Sequence, residues 1–131
     1  MKIKFYLTIL LGLFSSCNTT SYIYRKSVIG LIRDDKTPLP NVSIVYDSLD
    51  VLSPRNVITN NKGQFILPKI EMKNYQNFIK SIKEINSMII IKKKGYDTKK
   101  INLKTYDMNK DTIDIGTIYL KSKQSNSVNL W

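Results

Sequence analysis

Thr59-Asn60-Asn61-Lys62-Gly63-Gln64-Phe65 is the stretch on which the fold turns. β-Prone runs flank it, Asn56-Val57-Ile58-Thr59 before and Gly63-Gln64-Phe65-Ile66-Leu67 after. Asparagine tolerates positive φ and glycine adopts it without a Cβ clash, so Asn60-Asn61-Lys62-Gly63 reads as a tight reversal. The two arms predict a β-hairpin, and Pro68 closes the second arm because it has no amide to donate.

The segments outward from this turn carry the same signals. Ser27-Val28-Ile29-Gly30-Leu31-Ile32-Arg33 predicts a strand with a glycine that would suit a bulge. Asp34-Asp35-Lys36-Thr37-Pro38-Leu39-Pro40-Asn41 is turn chemistry, with acids that cap amides and two prolines that forbid helix. Val42-Ser43-Ile44-Val45-Tyr46 alternates, with Val42, Ile44 and Tyr46 on one face. Asp47 to Arg55 is a polar loop. Further along, Met88-Ile89-Ile90-Ile91-Lys92 is the most apolar strand of the body. Lys93-Lys94-Gly95-Tyr96-Asp97 turns, and Lys99 to Leu103 returns as a strand. Thr112 to Leu120 is the last strand, with Ile113, Ile115 and then Ile118 or Leu120 inward and a bulge at Gly116. Seven short strands with regular turn signals predict a mainly β chain, a β-sandwich.

Lys69 to Ser87 breaks the strand rhythm. Tyr75, Phe78, Ile79, Ile82 and Ile85 recur at spacings of three and four, the period of an amphipathic helix over about 74–86, with Lys73, Lys80, Lys83 and Glu84 mostly opposite. Such a stripe can face a partner's groove or a membrane surface. The expectation adopted is that it packs against the chain's own sheet.

The chain opens differently. Met1-Lys2-Ile3-Lys4 is basic, Phe5 to Phe14 is apolar, and Ser15 and Ser16 precede Cys17, the only cysteine among 131 residues. This order fits a secretory signal, and its apolar core is shorter than the roughly 20 residues of a membrane-spanning helix. Leu13-Phe14-Ser15-Ser16-Cys17 resembles the lipobox of bacterial lipoproteins, with Phe14 where aliphatic residues are commoner. The resemblance implies cleavage before Cys17 and a lipid on its sulfur. Residues 1–16 are then a signal peptide, 17–26 a tether, 27–121 the sandwich and 122–131 a polar tail. The tail's terminal Trp131 is expected to fray or to tuck onto the domain. Asn18 to Arg25 contains no acid. Where acids after the cysteine serve as a surface-export signal, their absence points to the periplasmic side of the membrane.

Four motifs in order also resemble carboxypeptidase regulatory-like domains. They are Gly30 to Asp34 with Thr37 to Val42, then Thr59 to Phe65, Lys94-Gly95-Tyr96, and Asp114 to Leu120. The resemblance implies a seven-strand transthyretin-like, Ig-like sandwich over about Ser27 to Leu120. Gly63 would turn the chain, Phe65 fill the core, and Tyr96 bury its ring with a wet hydroxyl, while Gly95 and Gly116 hold a turn and a bulge. The family's roles are structural and interactive, so the resemblance brings no catalytic residue, metal or cofactor. Lys69 to Ser87 exceeds the family's usual connection and is the place to look for something particular to this chain.

Composition narrows the function classes. Lys+Arg number 21 against 10 Asp+Glu, and with Lys2 and Lys4 gone the formal charge of +11 becomes +9. The lysines are scattered, as on ordinary solvated faces, although Lys92-Lys93-Lys94 and Lys99-Lys100 around Tyr96 would suit anionic lipid or polysaccharide. Histidine is absent from the sequence, which removes the commonest general base and metal ligand. Transthyretin-like hydrolases work through histidines, leaving only turn acids such as Asp34, Asp35, Asp47 and Asp50 for an enzymatic reading. The expectation is a lipid-anchored, non-catalytic module of the bacterial envelope, facing the periplasm from the outer membrane. Its partners would be the membrane and an envelope protein or glycan, not nucleic acid.

Overall fold

The structure is a computed structural model that describes residues 20–47, 52–83 and 85–123. Residues 1–19, with the expected leader and Cys17, and Asp50, Glu84 and the end of the tail lie outside the described residues. Among the described residues the chain is mainly β, with nine strands and one α-helix. In chain order the first strands are β1 (Tyr22–Arg25), β2 (Ser27–Arg33), β3 (Ser43–Tyr46), β4 (Val57–Ile58), β5 (Gln64–Leu67) and β6 (Ile70–Met72). Helix α1 (Tyr75–Lys83) follows, then β7 (Met88–Lys92), β8 (Lys99–Asn102), a 3-10 turn (Leu103–Thr105) and β9 (Thr112–Tyr119).

Seven of these strands form two sheets. One has the order β5-β2-β9 and the other β4-β3-β7-β8. Alternation sends one face of each strand inward. Val28, Ile32, Phe65, Leu67, Ile113 and Ile115 of the first sheet join Ile44, Tyr46, Ile89, Ile91 and Ile101 of the second in one buried cluster. Burying such aliphatic side chains stabilises by roughly 1.5–3 kcal/mol each, which the ordering entropy of the chain largely offsets.

The reversal at Asn60 forms, but the hairpin does not. Asn60 Oδ1 accepts from the amides of Lys62 and Gln64, both at 3.0 Å, and Gly63 N–H donates to Asn60 O at 2.9 Å. The arms then part. β4 pairs antiparallel with β3, whereas β5 pairs antiparallel with β2 in the other sheet. The turn is therefore an arch between sheets. Backbone bonds on both sides fix it: Thr59 N–H donates to Val42 O at 3.0 Å, and Ile32 N–H to Gly63 O at 2.7 Å. Turn chemistry dictates the reversal, and burial of Phe65 with Val57 packed against the core dictates which strand each arm meets.

The last strand pairs parallel with β2, in a register that slips between Ile29 and Leu31. Gly116, at φ 68°, supplies the extra residue, and Asp114 Oδ1 accepts its amide at 2.8 Å. This bulge resets the side-chain parity. Ile113 and Ile115 point inward before it, and Ile118 and Leu120 after it, so all four are buried. Gly30 sits opposite without a bulge of its own. A Cβ there would lie 2.7 Å from Ile115 Cγ1 and 2.8 Å from Phe65 Cε1, so its role is close packing.

Two further strands were not anticipated. Tyr22–Arg25, within the stretch expected to be a tether, pairs antiparallel with Ile70–Met72 as a ribbon. Tyr22-Ile23-Tyr24 is β-prone, and the chain after Pro68 gives it an edge to pair with. The helix lies on this ribbon. Asn74 caps it, its Oδ1 accepting from Asn77 N–H at 3.1 Å, and Lys80 and Lys83 occupy its last turn. The stripe packs on this two-stranded sheet of the chain and stays half-exposed there, none of its residues being fully buried.

Candidate functional site

The sandwich has two chemically different ends. At one end, β2 runs into the acidic turn and β7 turns into β8. Asp34 Oδ1 accepts from the amides of Lys36 at 2.8 Å and Thr37 at 2.7 Å, as a turn-capping acid should. Its other oxygen accepts the Tyr96 hydroxyl at 3.1 Å. Tyr96 packs partly against the core, and its hydroxyl donates to Asp34. Gly95 lies in the β7–β8 turn and accepts Lys123 N–H at 2.9 Å, and Tyr96 bridges to Ser122. Gly63 lies near this end through the bond it accepts from Ile32 N–H, whereas Phe65, paired with Gly30, lies within the core.

The Thr37 and Lys36 amides, helped by Tyr96, hold the Asp34 carboxyl below its ordinary value of 3.8. The bond to Asp34 pushes the Tyr96 hydroxyl above its ordinary value of 10.0. A depressed carboxyl stabilises fully above its unfolded value, and that contribution drains as pH falls through the folded one. A raised phenol stabilises fully below its unfolded value and loses the contribution as pH rises past the folded one. Urea midpoints of Asp34→Asn should therefore fall less steeply than wild type below about pH 4, and those of Tyr96→Phe less steeply above about pH 10. Parallel curves for wild type and both variants would show that this bond carries no linkage.

The basic groups beside Tyr96 are partly engaged. Lys93 Nζ donates to Pro40 O at 2.7 Å, Lys99 Nζ to Tyr119 O at 3.4 Å, and Lys100 Nζ lies 3.8 Å from Asp47 Oδ2. Asp35 and Asp97 line the nearby depression with Lys99 and Lys121, so its charge is mixed. Among the described residues no three His, Cys, Asp or Glu side chains gather as a metal site. An open apolar groove of about 680 Å³ runs over the outer face of β5-β2-β9, with Ile29, Leu31, Ile58 and Ile66 on its walls.

At the opposite end the ribbon and helix meet the sandwich. Arg25 is buried at 5% exposure, its guanidinium 3.8 Å from the Tyr46 ring centroid, and it donates to Asn86 O at 2.9 Å. Asn86 in turn donates to Asp47 O at 3.0 Å and accepts Met88 N–H at 2.8 Å. The end of the insertion is thus fastened to β1, β3 and β7 at once. A mostly apolar cavity of about 290 Å³ remains beside this fastening, walled by Ile23, Tyr46, Ile82, Leu103, Met108 and Ile113.

The ribbon and the helix meet through aromatic rings. Tyr22 lies 5.2 Å from Tyr75 and 5.3 Å from Phe78, and Tyr75 lies 6.5 Å from Phe78, between ring centroids. Tyr75 is 52% exposed, Ile23 42% and Ile82 41%. Sequence reasoning found Tyr75, Phe78 and Ile82 through their helical spacing and missed Tyr22, Ile23 and Arg25. Their β-branched and aromatic composition was the available signal. No family model, curated protein or solved structure matches the chain.

Proposed function

We propose that the chain is a lipid-anchored module of a bacterial envelope that works by presenting surfaces rather than by turnover. One observation carries this reading. A basic start, a short apolar run, two serines and the only cysteine stand in the order of a lipoprotein signal. Cys17 is the lipid attachment residue, and several acyl chains at about 0.8 kcal/mol per methylene make an anchor that hardly dissociates. The start of β1 at Tyr22 agrees with it, because the folded body then begins five residues after the anchor. The seven strands divided between two sheets support the finer assignment, a transthyretin-like sandwich of the carboxypeptidase regulatory-like kind. The module sits on the outer membrane facing the periplasm, and its partner is an envelope protein or glycan. Binding of anionic polysaccharide or lipid through the lysines around Tyr96 is the weaker reading, since Lys93, Lys99 and Lys100 already bond within the chain.

Metabolic labelling with radioactive palmitate in a bacterial host tests the anchor. The wild-type chain should take up label and Cys17→Ser should take up none. Label retained by Cys17→Ser overturns the reading.

A further inference from the structure

We infer that the ribbon and helix lie on the membrane itself, with Tyr22, Tyr75 and Phe78 at headgroup level, so that the anchor fixes the orientation of the sandwich as well as its location. The inference rests on lipidation of Cys17 and adds a second, non-covalent contact.

The reach of the chain supplies the first argument. Four residues, Asn18 to Ser21, separate Cys17 from Tyr22, which makes five Cα-to-Cα steps. Fully extended they span at most about 17 Å, so β1 cannot leave the neighbourhood of the leaflet that holds the acyl chains. The end of the sandwich bearing Asp34 and Tyr96 is a whole strand further away, because β2 runs seven residues from Ser27 to Arg33. The ribbon and helix are therefore the part of the described structure nearest the lipid.

The chemistry of that surface supplies the second. Along α1, Tyr75, Phe78 and Ile82 fall within one narrow arc that β1 and the cavity beside Tyr46 cover only in part, leaving Tyr75 52% and Ile82 41% exposed. Tyr22 stacks on the same stripe. Rings with an apolar body and a polar tip favour the membrane–water interface, and an amphipathic helix lies there with its apolar side down. Lys73, Lys80 and Lys83 lie off the stripe, where their long stems can carry ammonium groups to lipid phosphates.

This orientation turns the Asp34–Tyr96 end and its lysines away from the membrane. It leaves the apolar groove over β5-β2-β9 on the flank.

Position-specific quenching in the full lipidated chain tests the contact. The native tryptophan is removed with Trp131→Phe, and one new tryptophan is placed by Tyr75→Trp on the stripe or by Lys94→Trp at the far end. The proteins are reconstituted in phosphatidylcholine–phosphatidylglycerol vesicles with bromines near the top of the acyl chains. Emission at position 75 should fall about twofold and shift to the blue, with position 94 unchanged. Ile82→Trp, two helical turns along the same stripe, reads the contact independently should Tyr75→Trp disturb the rings. Flotation with the vesicles separates the two readings. A chain that floats with positions 75 and 82 quenched no more than 94 overturns this inference and leaves the anchor standing. A chain that does not float overturns both.

Discussion

Gly63→Ala should lower the unfolding free energy by about 3–5 kcal/mol, read from urea midpoints at constant slope. Two terms add. Gly63 has φ 74°, a region that an L-residue occupies at about 1–2 kcal/mol. A Cβ there would also collide with the Ile32 carbonyl oxygen, with Leu39 N and Pro38 Cβ each at 3.2 Å behind it. Backbone atoms cannot swing aside as a side-chain tip can, so the arch must move away from β2. That movement breaks the bond from Ile32 N–H to Gly63 O, which ties the arch to the three-stranded sheet. Gly116→Ala is the internal comparison, because φ is 68° there and nothing lies within 4 Å of the added methyl. Its loss should be about 1–2 kcal/mol, the backbone term alone. Equal losses at the two glycines would mean that strain, and not the collision, governs the arch.

The same residues show what a sequence discloses and what it withholds. Asn60 and Gly63 announce a reversal because the signal is local: a side-chain oxygen bonds amides two and four residues on, and one φ is positive. Whether the arms pair with each other or with strands in two facing sheets is not local. Val57-Ile58 and Phe65-Ile66 have the same alternation in a hairpin and in an arch. Parity in β9 was half legible, since Gly116 suggested a bulge while the choice between Ile118 and Leu120 stayed open. The bulge resolves it by turning both inward. The ribbon was hidden for another reason. Tyr22–Arg25 follows the apolar run Phe5 to Phe14 and the polar residues after it so closely that composition reads it as linker, and Ile70–Met72 is three residues beside a strong helical stripe. Parallel pairing of β2 with β9 left no mark in sequence, because partners so far apart share no turn. For the candidate site, the insertion was visible through its stripe, while its partner face on β1 and the buried Arg25 beside Tyr46 were not. Cys17 stands on sequence alone, outside the described residues.

Thr59→Val should cost about 2–5 kcal/mol, although it keeps the shape of the side chain. Thr59 is 2% exposed, and its hydroxyl donates to Leu39 O at 2.6 Å while accepting Val42 N–H at 2.9 Å. One hydroxyl therefore satisfies two backbone groups at the mouth of β3, inside the turn that carries Pro38 and Pro40. Valine fills the space and leaves a buried donor and a buried acceptor without this partner, each at about 1–3 kcal/mol. Thr59→Ser keeps both bonds and removes one methyl, so its loss should stay near about 1 kcal/mol. The ordering of the two variants is the test, because a packing role predicts the reverse: valine mild, serine worse. Amide exchange should locate the effect, with Val42 N–H accelerated in Thr59→Val beyond the change in global stability and unaltered in Thr59→Ser. Thr59 lies at the arch end, so the proposed vesicle contact by Tyr75 should be the same in the valine variant as in wild type at temperatures where the domain stays folded. If Thr59→Ser destabilises more than Thr59→Val, the hydroxyl is not what holds the arch, and β3 and the arch are joined by side-chain packing instead.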